Sequence, residues 1–484
     1  MHLTRIFFTL LFVASCAAPK TEAEGPKASP LPERTYPPEP ADFTPVNDSP
    51  LTIITGAKLF PISAPPIQSG YIILENGKIT AIGNGEAPQK DNAIVIDANG
   101  AFITPGVIDT HSHMGVYANP SVRAHSDGNE MVGPVTGDIW AEHGFWPQDP
   151  SIRRALSGGV TTIQVLPGSA NLIGGRTYIA KLKPGTSARE MRFPEAPQGL
   201  KIACGENPKR VYGSRGGPRT RMGNVAGFRN AFQRARNYLH SQEAYERDLK
   251  AWKDAKEKNP DHDEDPPNLP SRDLESETLA KVLKGEILVH NHCYRADDMH
   301  IMLDIAEEFG FKIRSFHHAL EAYKLRDRLA KLDVSSSTWA DWWGFKMEAY
   351  DGIPHNAALL SAVGAKAVIH SDSSTDIRRL NQEAAKARRA GLDLGIEISE
   401  TEALRWVTLN AAWTLGIEDK VGSLETGKHA DIVIWDKSPL SVYSKPTHVI
   451  IDGRVYYDRS QPQRLSDFEV GQPHIDHQMG ASHD

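Results

Sequence analysis

The sequence predicts an α/β protein: a parallel (β/α)8 barrel beside a small β-sandwich formed from both ends of the chain. Three observations lead there. Strand-like runs punctuated by turn residues occur near both ends. Between them, apolar strands alternate with helical stretches over about 300 residues, a length that suits eight strand–helix units. No glycine-rich phosphate loop follows a first strand, which sets a doubly wound nucleotide-binding sheet aside.

In chain order, Met1–Arg5 is followed by the apolar run Ile6–Val13 and then Ala14-Ser15-Cys16. This is too short to span a bilayer but suits the hydrophobic region of a secretory signal. The Val13-Ala14-Ser15-Cys16 segment resembles a bacterial lipobox, which predicts lipidation of Cys16; the alternative is simple cleavage after Ala17 or Ala18. Residues 1–18 are therefore read as a signal peptide. Residues 19–50, rich in Pro, Glu, Ala and Lys, are read as a disordered tether. The expected location is the periplasm or outer membrane, with the membrane touched only through the lipid. Cys204 and Cys293 are the other cysteines, read as core thiols that could pair.

From Leu51 the texture becomes β. Thr52–Thr55, Tyr71–Leu74, Ile79–Ile82 and Ala93–Ile96 read as strands, with Asn76-Gly77 as a hairpin turn. Asp431–Trp435, His448–Ile451 and Arg454–Tyr457 do the same at the far end. Residues 51–104 and 421–460 are assigned to one antiparallel sandwich, and 461–484 to a flexible tail. The barrel takes 105–420. Its buried strands include Val160–Leu166, Glu286–His290 and Ala367–His370, and its helices include Asp297–Phe309 and Ala384–Ala390. The polar stretch 219–283 reads as a helical insertion with an acidic loop. The net charge of −7 and the absence of a basic run exclude a nucleic-acid partner. A small-molecule substrate is expected, and oligomerisation stays open.

The chemistry is carried by histidines, nineteen in all. In Ile103–His113 an apolar strand ends in His111-Ser-His113. Two histidines at i, i+2 on a strand share a face and can address one ion. Asp372 follows the strand Ala367–His370, and a carboxylate beside a divalent ion is suited to accept a proton from water.

Pro105-Gly106 through His113, Gly158–Thr162, Gly205-Glu-Asn-Pro-Lys209, His290–Asp297, His318 with Glu321–Lys324, Ser371–Ser373 and Gly422–Asp431 together resemble the amidohydrolase superfamily, in its imidazolonepropionase-like branch. The likeness spans Leu51 to Asp458. It implies the same fold and a metal-dependent hydrolase of C–N bonds. It also implies His111, His113, His290, His318 and Asp372 as metal ligands, with Asp372 as the general acid/base. On the fourth strand it implies a bridging residue, Glu206 in preference to a carboxylated Lys201. His292 and His317 stand as neighbouring alternatives to His290 and His318. Zinc, one or two ions, suits such ligands best. Asn171, Tyr294 and Arg295 are candidate substrate contacts. Trp339, Trp342 and Trp343, near Lys346, are either a pocket wall or core packing. A dipeptidase, prolidase-type or lactonase activity uses a similar site, and a non-catalytic metal-binding lipoprotein is the rival from another class.

Overall fold

The computed structural model describes residues 49–461. The expected signal, Cys16, nearly all of the tether and nearly all of the tail lie outside the described residues. The described residues begin with β1 (Thr52–Leu59), β2 (Ile67–Glu75), β3 (Lys78–Asn84), β4 (Ile94–Asp97) and β5 (Phe102–Pro105). The turn between β2 and β3 has Asn76 and Gly77 both at positive φ, 50° and 74°, as a two-residue hairpin requires. There follow β6 (Val107–Ser112), β7 (Val160–Val165), β8 (Ile173–Arg176), β9 (Tyr178–Lys181), β10 (Gly199–Ala203), β11 (Leu288–Cys293), β12 (Ile313–His318), β13 (Ser335–Thr338) and β14 (Ala367–Ile369). The chain returns to the first strands through β15 (Ile432–Trp435), β16 (Pro446–Ile451) and β17 (Arg454–Asp458).

Both ends of the chain build one hydrogen-bonded sheet, ordered β17-β16-β15-β5-β1-β2-β3 with β4 also on β1. It is mixed, not wholly antiparallel, because β4 and β5 run parallel to β1. Its buried face carries Ile54, Leu59, Ile72, Leu74, Ile103, Ile432, Ile434 and Ile450. β15 and β16 are buried on both faces, because the alternate residues Val433, Trp435, Val449 and Ile451 join the central core.

The central strands form a six-stranded sheet, β14-β13-β12-β11-β10-β8, and a three-stranded one, β6-β7-β9. From β10 to β14 all pairings are parallel, as the alternation with helices demands. The exception is the stretch holding β8 and β9, which runs antiparallel to β10 on one side and β7 on the other. The cause is the connection. Only the segment 166–172 separates β7 from β8, and a parallel return needs about a dozen residues or more. At the other seam, between β14 and β6, Trp406 and Val407 accept from Ile369 N and Ile108 N.

The segment 219–283 holds two helices. A 38-residue helix, Arg221–Lys258, is capped by the Thr220 side chain accepting from Gly223 N. It leads through a loop to the helix Leu274–Leu283. Cys204 and Cys293 form a disulfide and not two free core thiols. Cys204 follows β10 directly and Cys293 ends β11, neighbours in the sheet, so the spatial pairing joins residues 89 positions apart in sequence.

Candidate active site

Pro105-Gly106 starts the site. A Cβ on Gly106 would lie 2.0 Å from Thr161 Oγ1, so only glycine lets β6 enter beside β7. From there Val107–Ser112 is buried at every position. His111 and His113 emerge at its end, with ring centroids 5.1 Å apart. His113 Nδ1 is hydrogen-bonded to Leu166 O at 2.8 Å, which leaves Nε2 free to face the site.

Asp372 faces these rings. Its Oδ1 lies 3.3 Å from His113 Nε2 and 3.8 Å from His111 Nε2, and its Oδ2 lies 4.0 Å from His318 Nε2. Both Asp372 (φ 51°) and His318 (φ 69°) hold left-handed backbone, which is strained for residues with a Cβ and concentrates at functional sites. The strain at Asp372 is fastened by its N–H donating to His111 O at 3.0 Å. Asp109 fixes the preceding residue, accepting from Ser371 N at 3.1 Å and Ser371 Oγ at 2.5 Å. Burial raises the Asp109 carboxyl to about 6 against these lowering bonds.

Two groups of potential ligand atoms lie within 4.8 Å of one another: His111, His113 and Asp372, and His111, His318 and His370. His292 packs against His318 with centroids 4.5 Å apart. Burial drives the affinity of all seven clustered histidines for a proton down, to about 3 for His113, His290 and His370. Neutral imidazoles are the form that binds a metal. His111 Nε2, His290 Nε2, His292 Nδ1, His318 Nδ1 and both His370 nitrogens are buried without a hydrogen-bond partner. Buried ring nitrogens without partners are rare unless a ligand satisfies them, so the set of imidazoles fits a divalent ion.

The expected residues divide. His111, His113, His318 and Asp372 come together. His290 lies deeper: its Nδ1 bonds His317 Nε2 at 3.0 Å, and His317 Nδ1 in turn bonds His111 Nδ1 at 3.0 Å. In register His292 stands opposite His317 and Cys293 opposite His318, yet it is the His292 ring that reaches His318, with centroids 4.5 Å apart. Glu206 stands outside the ligand groups, on the first turn of the helix Glu206–Tyr212, with Lys346 Nζ 3.3 Å from its Oε1. Lys201 is instead buried completely on β10, donating to Pro167 O at 3.2 Å. Burial pushes its amine down, with the Asp372 charge opposing, while burial pushes Asp372 up, with Lys201 opposing.

Asn171 is no free substrate contact. Its amide donates to Glu130 O, Gly133 O and Thr136 Oγ1 and accepts from Asn129 and Tyr212, so it ties the loop together. Arg295 is paired with Asp297 at 2.7 Å and is well exposed. Tyr294 does reach the cluster, its ring stacked 5.1 Å from His318. The three tryptophans also divide: Trp339 is buried against His318, Trp342 is half exposed, and Trp343 packs partly buried beside them. Sequence reading passed over His370 and Asn207. His370 stands two residues before Asp372, the same i, i+2 signal that marked His111 and His113. Asn207 Nδ2 lies 3.4 Å from His292 Nε2.

Neutral imidazoles with free ligand atoms, gathered with a carboxylate at strand ends of a mixed α/β fold, define a metal-dependent hydrolase. The family is shown by comparison: the chain belongs to the amidohydrolases. Residues 262–456 match the amidohydrolase family model. The solved amidohydrolase from Thermotoga maritima MSB8 is 34% identical, covers 84% of this chain and all of its own, and superposes with a TM-score of 0.74. Amidohydrolase tasK of Hapsidospora irregularis is 36% identical over 408 residues, 80% of this chain; the chain spans 40% of that relative's length. An imidazolonepropionase from Streptococcus pyogenes is 24% identical over 406 residues, covering 76% of this chain and 84% of its own.

Proposed function

We propose that the protein hydrolyses a C–N bond of a cyclic amide, amidine or related compound, with Asp372 as general acid/base. The observation that carries this is the Asp372 carboxylate beside His113 and His111, next to buried imidazole nitrogens that have no protein partner. His111, His113 and Asp372 would hold one divalent ion, most naturally zinc. His292 and His318, whose rings pack 4.5 Å apart, would contribute to a second, and Lys201 in a carboxylated form would add the carboxylate that β10 supplies. The burial of Lys201 favours it over Glu206, whose charge Lys346 already meets. When bound, such an ion polarises the scissile carbonyl or imine and acidifies water. Asp372 takes the proton of the attacking water and delivers it to the leaving nitrogen. The imidazolone in the relatives' name is a cyclic amide, which supports that substrate class over dipeptides or lactones.

We read the central strands as a (β/α)8-type barrel interrupted at its third strand, and the terminal sheet as the accessory β-sandwich. An exported, Cys16-anchored enzyme is part of the same proposal, supported by the Cys204–Cys293 disulfide, since disulfides persist in oxidising compartments.

Purified protein assayed against hydantoins, cyclic ureides, dipeptides and lactones tests the reading. Hydrolysis of a cyclic amide, abolished by chelation and lowered about a thousandfold or more in Asp372→Asn, is expected. Turnover that survives both treatments sinks the mechanism.

A further inference from the structure

The wall that leads out from the metal-facing histidines is aromatic. Trp339 stacks on His318 with centroids 4.5 Å apart and planes 26° apart. Tyr294 stacks on the same ring at 5.1 Å and 17°. Phe345 meets both edge-on, 6.0 Å from Trp339 and 6.1 Å from Tyr294, and Trp342 meets Trp339 edge-on at 5.1 Å. Exposure rises outward along this series. Tyr294 and Trp339 are each 5% exposed, whereas Trp342 is 47% and Phe345 53% exposed. Two half-bare rings joined to buried ones, ending on a candidate metal ligand, leave apolar surface that a bound molecule would cover.

The charged groups around this wall are already matched. Lys346 lies over the Tyr294 ring at 4.2 Å and is held by Glu206 and Glu348 at 3.3 and 3.4 Å. Arg221 pairs with Asp298 and Glu348, and Arg295 with Asp297. A substrate carboxylate or phosphate would have to break one of these pairs, while a neutral ring has only water to displace. The buried and the exposed rings also meet at edge-to-face angles, which is how an added ring would join them.

From this we infer that the substrate carries an uncharged aromatic group beside the bond that is cleaved, seated against Trp339, Trp342 and Phe345. The inference rests on the hydrolytic reading above and names its substrate class. The experiment compares 5-benzylhydantoin with 5-methylhydantoin, and glycyl-phenylalanine with glycyl-alanine, in the wild type, Trp342→Ala and Phe345→Ala. Both side chains are exposed enough to be removed without a core cavity. Calorimetric titration of phenylacetamide and acetamide reads binding apart from turnover.

The benzyl member of the hydrolysed pair is expected to show at least about a tenfold higher kcat/KM, chiefly through KM, and phenylacetamide to bind more tightly than acetamide. Both preferences should collapse towards one in the two variants. Equal kcat/KM for benzyl and methyl members, or a preference that the variants leave intact, overturns the aromatic subsite. Absence of turnover on every scaffold would instead count against the hydrolytic reading. The titration still decides the subsite in that case: equal binding of the two amides overturns it.

Discussion

Two buried polar clusters in this chain look alike in composition and differ in how their charges are matched. One is the set of histidines with Asp372. The other joins β9 to the terminal sheet: Lys181 Nζ lies 3.0 Å from Asp431 and 2.5 Å from Asp452, Lys183 is 2.9 Å from Asp452, and Lys181 also donates to His429 Nδ1 at 2.9 Å. In the second cluster opposite charges face each other and the backbone N–H of Asp452 adds a bond to Asp431. In the first, imidazoles crowd one another around a single carboxylate, and several of their buried ring nitrogens have no partner; left-handed backbone does not separate the two, since Asp452 (φ 50°) holds it as Asp372 and His318 do. Matched charge buried between two sheets is a structural fastening. Unmatched acceptors gathered around a carboxylate are a site awaiting a ligand.

The sharpest way to break this comparison is to remove Lys181. Lys181→Met keeps the volume of the stem but leaves Asp431 without a cation among the described residues, in a place where its side chain is 2% exposed. Deleting one partner of a buried pair costs about 3–5 kcal/mol, because the remaining charge stays desolvated. Urea denaturation should show that loss, while metal content per folded chain stays at the wild-type level. A variant as stable as wild type, or one that loses metal without losing stability, would mean that the two clusters are not the separate kinds described.

Within the histidine cluster the contrast narrows to His292 against His290. His290 Nδ1 is taken by His317, which links it to His111, while its Nε2 has no partner. His290→Asn is expected to weaken metal binding by about 10–100-fold, the range for a residue behind a ligand. His292→Asn should weaken it further than that. Chelator competition gives both constants, and equal losses would place the two histidines in one layer.

That pair also marks where sequence reading stops. His111, His113 and Asp372 were legible because each closes an apolar strand, and period-two geometry then fixes their direction. The apolar part of β11 ends at Val289, yet the strand continues through Asn291 to Cys293, so its polar end hid the level at which it opens onto the site. Strand β13 was passed over for the same reason. Ser335–Thr338 is fully buried, and its hydroxyls bond Thr110, Ser315 and Thr414, so it presents no apolar run. Lys201 and Glu206 are five residues apart and equally suited by type; what separates them is that β10 ends at Ala203 and a helix begins at Glu206. The antiparallel third stretch was hidden because strand direction follows from loop length, and the strands themselves had to be delimited first.

The smallest effect concerns pH, and it tests whether the fastening cluster is satisfied only when His429 is neutral. Burial, and then the Lys181 charge, lower His429 from 6.5 to about 3. Between those values the unfolded chain takes up a proton that the folded chain refuses. Stability therefore rises with pH across that window and is lost as pH falls from 6.5 towards 3. One such group contributes at most about 1.4 kcal/mol per pH unit. The clustered site histidines have the same sign, so acid sensitivity alone assigns nothing to His429. His429→Gln isolates it: the amide oxygen can still accept from Lys181 Nζ, but it does not titrate, and the site histidines contribute equally in both chains. Denaturation midpoints followed from about pH 6.5 down to about pH 4.5 should diverge, with the variant gaining on wild type at each step. Parallel curves would show that Lys181 tolerates an imidazolium at 2.9 Å, and the fastening would then owe nothing to the protonation state of His429.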